Sequence, residues 1–289
     1  MPNTYKHLLL ANIATILLGF SGLFAKLIPL DAPVIICGRL IIAFFTLLFI
    51  LVMTKSLKRI ATKKEFFILI VSGILMTLHF MLFYKSIQVS SLAVGIISLY
   101  TFPCFSALVE PLFYKQSYRK RHIFLTLGTL GGIALLSFHQ IEGASIMLGL
   151  LYGILSALFF TFRNIFLKPL TTTYPSMLLM ALQCLVGASL FTPFFVNPLL
   201  SINYETLLLL ILSGVIFTAL AHSLFIKSIQ FLSVTTVSIV ASFQILYAVV
   251  LGVFFLNESL SVWVVSGGLV VLIVVVVEQI LCVQEVNEV

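Results

Sequence analysis

The amino-acid sequence predicts an all-α integral membrane protein whose ten transmembrane helices form two inverted five-helix repeats. Three observations predict it. Of 289 residues, 61% are hydrophobic and only 9% charged. Soluble domains carry about 25% charged residues, so this chain has too little polar surface to be clothed by water. It also holds ten apolar runs, most of them about the 20 residues that cross a ~30 Å hydrocarbon layer as a helix. Finally, a segment of the first half recurs in the second at a constant offset.

Cutting the sequence at charges and turn residues places the runs of the first half at 8–28, 33–53, 66–87, 92–113 and 123–138. Those of the second half fall at 146–167, 177–196, 206–226, 235–256 and 262–281. The loops are short, and no soluble domain fits between two spans. The first run has only Lys6 and His7 before it and no small-residue cleavage site after it, so it reads as a retained helix rather than a signal peptide. With an even number of spans both termini share a side. On that side fall Lys6, Lys55, Lys58, Arg59, Lys63, Lys64, Lys115, Arg119, Lys120, Arg121, Lys168 and Lys227, twelve of the sixteen basic residues. Basic loops stay in the cytoplasm, so both termini are expected there, in a bacterial-type cytoplasmic membrane.

The recurring segment is Phe83-Tyr84-Lys85-Ser86-Ile87-Gln88, which returns as Phe225-Ile226-Lys227-Ser228-Ile229-Gln230, 142 positions later. The same offset carries Phe20 onto Phe162, Phe24 onto Phe166, Lys26 onto Lys168 and Pro33 onto Pro175. The chain thus divides into repeats at 1–140 and 141–289. Five spans is an odd number, so the second copy enters the membrane upside down. Inverted repeats are a common plan of secondary transporters, with the substrate near the midplane between the copies.

Ten spans in two inverted halves resemble the drug/metabolite transporter superfamily, in particular its EamA-type members, over essentially the whole chain. In each half that family carries a proline in the fourth helix, a glutamate beyond it and then a glycine-containing helix. Here Pro103 is followed by Gln116 at the glutamate position and by Gly128, Gly131 and Gly132. The second half has Glu258 before Gly267 and Gly268, with Ile245 where proline would stand. Arg39 matches an arginine of the family's second helix. The resemblance implies a carrier of a small polar metabolite, its relatives moving amino acids, amines, S-adenosylmethionine-like nucleoside compounds and xenobiotics.

An ionisable side chain in hydrocarbon requires a partner or an aqueous cavity. Arg39 lies about 9 Å inside the outer edge of the second span, at 1.5 Å per residue. With His79 and Tyr100 it is expected to face one outer vestibule and bind substrate, the midplane residues Asn164, Gln183, Gln244 and Tyr247 completing the lining. Toward the cytoplasmic side Glu110 and Arg163, opposite in charge and matched in depth, are expected to pair as a gate, with His222 at the same level. Lys26, Lys85, Lys168 and Lys227 sit at span ends, where long cations snorkel. Gly128 and Gly132 form a small-xxx-small pair for close helix packing.

The basic balance (net +7) resides in loops, which argues against nucleic acid. Four cysteines (Cys37, Cys104, Cys184, Cys282) are scattered in apolar runs and suggest neither disulfides nor zinc. No phosphate-binding loop, HExxH or GxSxG motif is present, so neither a pump nor an enzyme is indicated. The expected partners are the lipid bilayer and a small-molecule substrate, with no cofactor. The driving force would be a gradient of that substrate, of a counter-substrate or of protons. A membrane-embedded enzyme acting on lipid head groups and a passive channel are the rival readings. The sequence assigns no oligomeric state.

Overall fold

The computed structural model describes residues 2–137, 144–247, 250 and 262–287, and every regular element among them is helical. The first half contains α1 (Pro2–Ser21), α2 (Phe24–Leu27), α3 (Ala32–Met53), α4 (Lys63–Val89), α5 (Leu92–Leu99), α6 (Phe102–Tyr114) and α7 (Lys120–Ser137). The second half contains α8 (Ala144–Leu167), α9 (Ser176–Phe195), α10 (Tyr204–Leu212), a π-helical segment (Ser213–Leu220), α11 (Ala221–Phe231), α12 (Val234–Ala241) and α13 (Val262–Asn287). Helices satisfy their own backbone polar groups, which hydrocarbon cannot do for them.

Seven helical stretches of the described residues are long and apolar enough to cross a membrane. They are Tyr5–Leu27, Ala32–Met53, Lys63–Val89, Val94–Tyr114, Ser145–Thr172, Ser176–Phe195 and Tyr204–Phe231. Val234–Tyr247 and Leu269–Gln284 are shorter apolar stretches, and α7 has 18 residues. Part of the expected ninth span, 235–256, lies outside the described residues, as do Glu142 and Glu258. Phe49, Phe124 and Phe194 are 66%, 71% and 77% exposed. Rings turned outward to that degree suit lipid as the surrounding solvent.

Local sequence explains where the helices begin. Thr62 and Glu65 form a reciprocal capping box at the start of α4. Ser91, Asn203 and Ser233 cap α5, α10 and α12 through their side-chain oxygens. Lys115, in the left-handed region at φ 52°, ends α6.

The offset of 142 is visible in the packing. It carries α1 onto α8, α3 onto α9, α4 onto α10 through α11, α5 onto α12 and α7 onto α13. The contacts follow the same exchange: α4 packs on α8 as α11 packs on α1, and α4 meets α9 as the π segment meets α3. The pairs α3–α9 and α7–α13 join equivalents to each other. At the α7–α13 seam a methyl group on Gly132 would lie 2.8 Å from Val271 and 3.0 Å from the Gly267 carbonyl oxygen, so the helices touch there through backbone.

Candidate functional site

Two helices are interrupted at positions related by the repeat. α5 stops at Leu99, and Tyr100 and Thr101 form a turn before α6 starts over Phe102 and Pro103. In the second half α12 stops at Ala241, and Ser242 and Phe243 turn before helix resumes at Gln244. Broken helices at corresponding places in two halves mark the binding region in many transporters, because only a cavity or protein tolerates irregular backbone at that depth.

Between the breaks lies a narrow cavity bordered by Tyr100, Phe102, Ala241 and Gln244 from the broken elements. Its other walls are Leu18, Gly19, Ser21 and Gly22 of the first span, His79, Phe80 and Phe83 of α4, Phe160 of α8, and His222 and Phe225 of α11. The atom-free space is ≈ 540 Å³, but only ≈ 40 Å³ of it admits the centre of a water molecule. At roughly 10–15 Å³ per water on that measure, the cavity is closed to about three waters in this conformation.

His79 and Tyr100, expected together in an outer vestibule, therefore meet Gln244, expected at the midplane, and His222, expected nearer the cytoplasmic side, in one place. The Nδ1 of His79 contacts Ser156 Oγ at 2.8 Å, and that hydroxyl donates back to the His79 carbonyl, tying α4 to α8. The His222 ring stands edge-on to Phe80 at 4.9 Å. Contrary to expectation it belongs to this cavity rather than to a gate with Glu110. Tyr100 Oη and His222 Nδ1 are buried without a hydrogen-bond partner. Tyr247 lies beside the cavity, against Phe243 and close to Gly19.

Arg39 does not line the cavity; it stands behind the wall. Its Nη2 donates to Ser21 Oγ (3.1 Å) and its Nε to Thr218 Oγ1 (2.9 Å) in the π segment, while its guanidinium lies over the Tyr84 ring at 4.7 Å and the Phe80 ring at 5.3 Å. Nη1 has no partner. Arg163 occupies a similar place on another flank, 5.9 Å from the Phe160 ring centroid. Gln183 Oε1 accepts from its Nε and Nη2 (3.2 and 2.6 Å), and Asn164 Oδ1 from its Nη1 (2.7 Å). Asn164 and Gln183 thus hold Arg163 rather than line the cavity.

The expected Glu110–Arg163 ion pair is not formed. Glu110 pairs instead with Lys168 (3.0 Å) and accepts from Val234 N, Thr235 N and Thr235 Oγ1 at 2.7–2.8 Å, closing over the first turn of α12. A second buried carboxylate, Glu278 of α13, stands nearby. It accepts from Thr236 Oγ1 at 2.7 Å, lies 3.3 Å from Arg121 Nε and 3.4 Å from His122 Nε2. Sequence reasoning missed Glu278 altogether: the offset sets it opposite Leu136, so the repeat gives no cue. It also missed the phenylalanine walls, since nothing singles out five among 27 phenylalanines. These networks share the end of the molecule where Lys58 donates to the Thr173 carbonyl and Tyr174 Oη meets Ala61 N and Glu65. We call it the basic end. Lys26, by contrast, donates to the Ser90 carbonyl, and Lys227 to Gln230 Oε1.

The sequence profile of the EamA-like transporter family matches residues 6–138 and 147–277. An uncharacterized transporter, YxxF, of Bacillus subtilis (strain 168) is 22% identical over 233 residues, 74% of this chain and 71% of that one. A protein of known crystal structure superposes over 97% of this chain and 98% of its own at 12% identity with a TM-score of 0.79, a likeness of fold alone. The apolar helices, the two-repeat match and these relatives define a multi-pass membrane protein of the transporter class. The chain belongs to the EamA-like transporter family.

Proposed function

We propose that the protein is a ten-span secondary transporter, built from inverted halves at 1–140 and 141–289, that moves a small polar metabolite by alternating access around the central cavity. The substrate is an amino acid or a related zwitterionic or carboxylate-bearing solute, carried across the cytoplasmic membrane with both termini on the cytoplasmic side. The observation that carries this reading is the pair of repeat-related helix breaks, Tyr100–Thr101 and Ser242–Phe243, which abut one cavity holding unpartnered polar groups. The near-closed cavity supports a carrier over an open channel. Among the described residues, the few scattered polar groups also form no ring of carbonyls or charges such as a channel uses to select ions.

Arg39 supplies the positive field for the substrate's anionic group, acting through Ser21 and the cavity wall. Glu110, with Lys168, braces the basic end. The test is counterflow in proteoliposomes loaded with a mixture of amino acids and small carboxylates. A carrier gives saturable uptake of a labelled solute that is accelerated by the same solute on the opposite side. Uptake linear in concentration, without acceleration from the opposite side, would instead mean a channel.

A further inference from the structure

Two arginines are buried beside the cavity, Arg39 at 1% exposure and Arg163 at 0%. Among the described residues no carboxylate pairs with either. Glu110 is engaged by Lys168 and α12, Glu278 by Arg121, His122 and Thr236, and Glu65 by Thr62 and Tyr174, while Asp31 and Glu205 are exposed. Uncompensated charge in a desolvated place is strongly unfavourable, and membrane proteins keep it where a counter-ion arrives. The neutral partners present (Ser21, Thr218, Asn164, Gln183) satisfy hydrogen bonds but bring no negative charge. One guanidinium nitrogen of Arg39 remains unpartnered.

The charge reaches the cavity through a named atom. Ser21 lines the cavity, and its oxygen accepts from Arg39 Nη2. That leaves the hydroxyl proton free to turn inward, polarised by the guanidinium. Tyr100 Oη offers a second donor with no partner of its own. Two donors thus border the space, and among the described lining residues no acidic group is present to receive an ammonium. The remaining wall is aromatic: Phe80, Phe83, Phe102, Phe160 and Phe225. Flat rings stack on or meet edge-on such a wall.

We infer that the cavity takes a compact aryl monocarboxylate, its carboxylate held by Ser21 and Tyr100 in the field of Arg39 and Arg163 and its ring packed among the phenylalanines. Cations and zwitterions are disfavoured, because an ammonium would sit in the field of the two guanidiniums behind the walls, with no carboxylate among the described lining residues to offset it. The inference rests on the transporter reading for the place of the site; of that reading's substrate classes it keeps the carboxylate-bearing solutes and sets the amino acids and other zwitterions aside.

The test is thermal unfolding of the purified full chain in detergent, at constant ionic strength, with phenylacetate, benzoate, phenylacetamide, phenethylamine, phenylalanine or acetate. Phenylacetate or benzoate is expected to raise the unfolding midpoint saturably, with the amide, amine, amino acid and acetate at least about tenfold weaker, the worth of one charge-assisted hydrogen bond. Ser21→Ala is expected to lower the ligand-free midpoint, because Arg39 Nη2 loses its acceptor, and, measured against that variant's own ligand-free midpoint, to weaken the aryl carboxylates by about tenfold. Equal or better binding of phenethylamine or phenylalanine overturns the inference, as does the absence of saturable binding by both aryl carboxylates. Binding of phenylacetate without any saturable flux would uphold this ligand class and remove the transporter reading. Counterflow of an amine alone would uphold the transporter and remove this class.

Discussion

Glu110 is held by four contacts of 2.7–3.0 Å, one to Lys168 and three to the first turn of α12. The carboxylate comes from the first half and all its partners from the second, so it acts as a clasp between them. A carboxylate at a helix start also meets the positive end of the helix dipole. Removing one partner of a buried ion pair typically costs ~3–5 kcal/mol. Here Lys168 is partly exposed, so Lys168→Met is expected to cost well under that, and Glu110→Gln more, because two backbone donors and a hydroxyl then face a neutral amide. The double variant should cost less than the sum of the two, measured by unfolding in detergent. Simple additivity would mean that the two side chains are independently solvated. Glu110 was legible in the sequence as an intramembrane carboxylate, but its partner was not. Depth along a helix can be counted from sequence, whereas the direction a side chain takes around the axis depends on packing. Arg163 and Lys168 are both within reach by depth, and only the fold turns Arg163 toward Gln183 and Lys168 toward Glu110.

At the scale of elements, hydrophobic runs located the seven membrane-length helices among the described residues, because hydrocarbon demands length and apolarity, two properties that sequence displays directly. The helix breaks were less visible. The run 92–113 reads as one span, and nothing at Tyr100 or Thr101 announces a turn except Pro103 shortly after it. The matching break at Ser242–Phe243 has no proline at all, only Ile245 in the corresponding stretch. Glycines were a better guide. The α7–α13 seam contains its own control, since a methyl group on Gly132 would strike Val271 and the Gly267 backbone, while one on Gly131 would meet nothing within 4 Å. Alanine is favoured over glycine within a helix by ~1 kcal/mol. Gly131→Ala is therefore expected to leave stability unchanged or slightly raised. Gly132→Ala should lower the unfolding midpoint by forcing the helices apart. Equal effects of the two changes would mean that the seam is looser than the backbone contact implies.

On the scale of the whole molecule, the cross-half contacts that involve carboxylates gather, among the described residues, at the basic end. There Glu110 meets Lys168 and α12, Arg121 and His122 meet Glu278, and Tyr174 meets Ala61 and Glu65. About one helical turn from the Glu110 clasp along both α6 and α12, the Ser106 and Ser238 hydroxyls meet at 3.1 Å, with both residues fully buried. In the proposed alternating-access cycle, opening toward the basic end must break the Glu110 clasp and then part these two serines. Losing the clasp should shift the population toward that open form, because water then solvates the stranded groups. The measurement uses Ser238→Cys in a background without the four native cysteines, with a membrane-impermeant thiol reagent applied to the basic side of oriented vesicles. Labelling is expected to be slow with Glu110 intact and faster on the order of tenfold in Glu110→Gln, which corresponds to a shift of about 1.4 kcal/mol. Saturating ligand that favours the closed cavity should slow it again. Unchanged labelling in Glu110→Gln would show that the clasp stabilises both forms equally. Faster labelling from the opposite side would place the moving gate at the other end of the molecule.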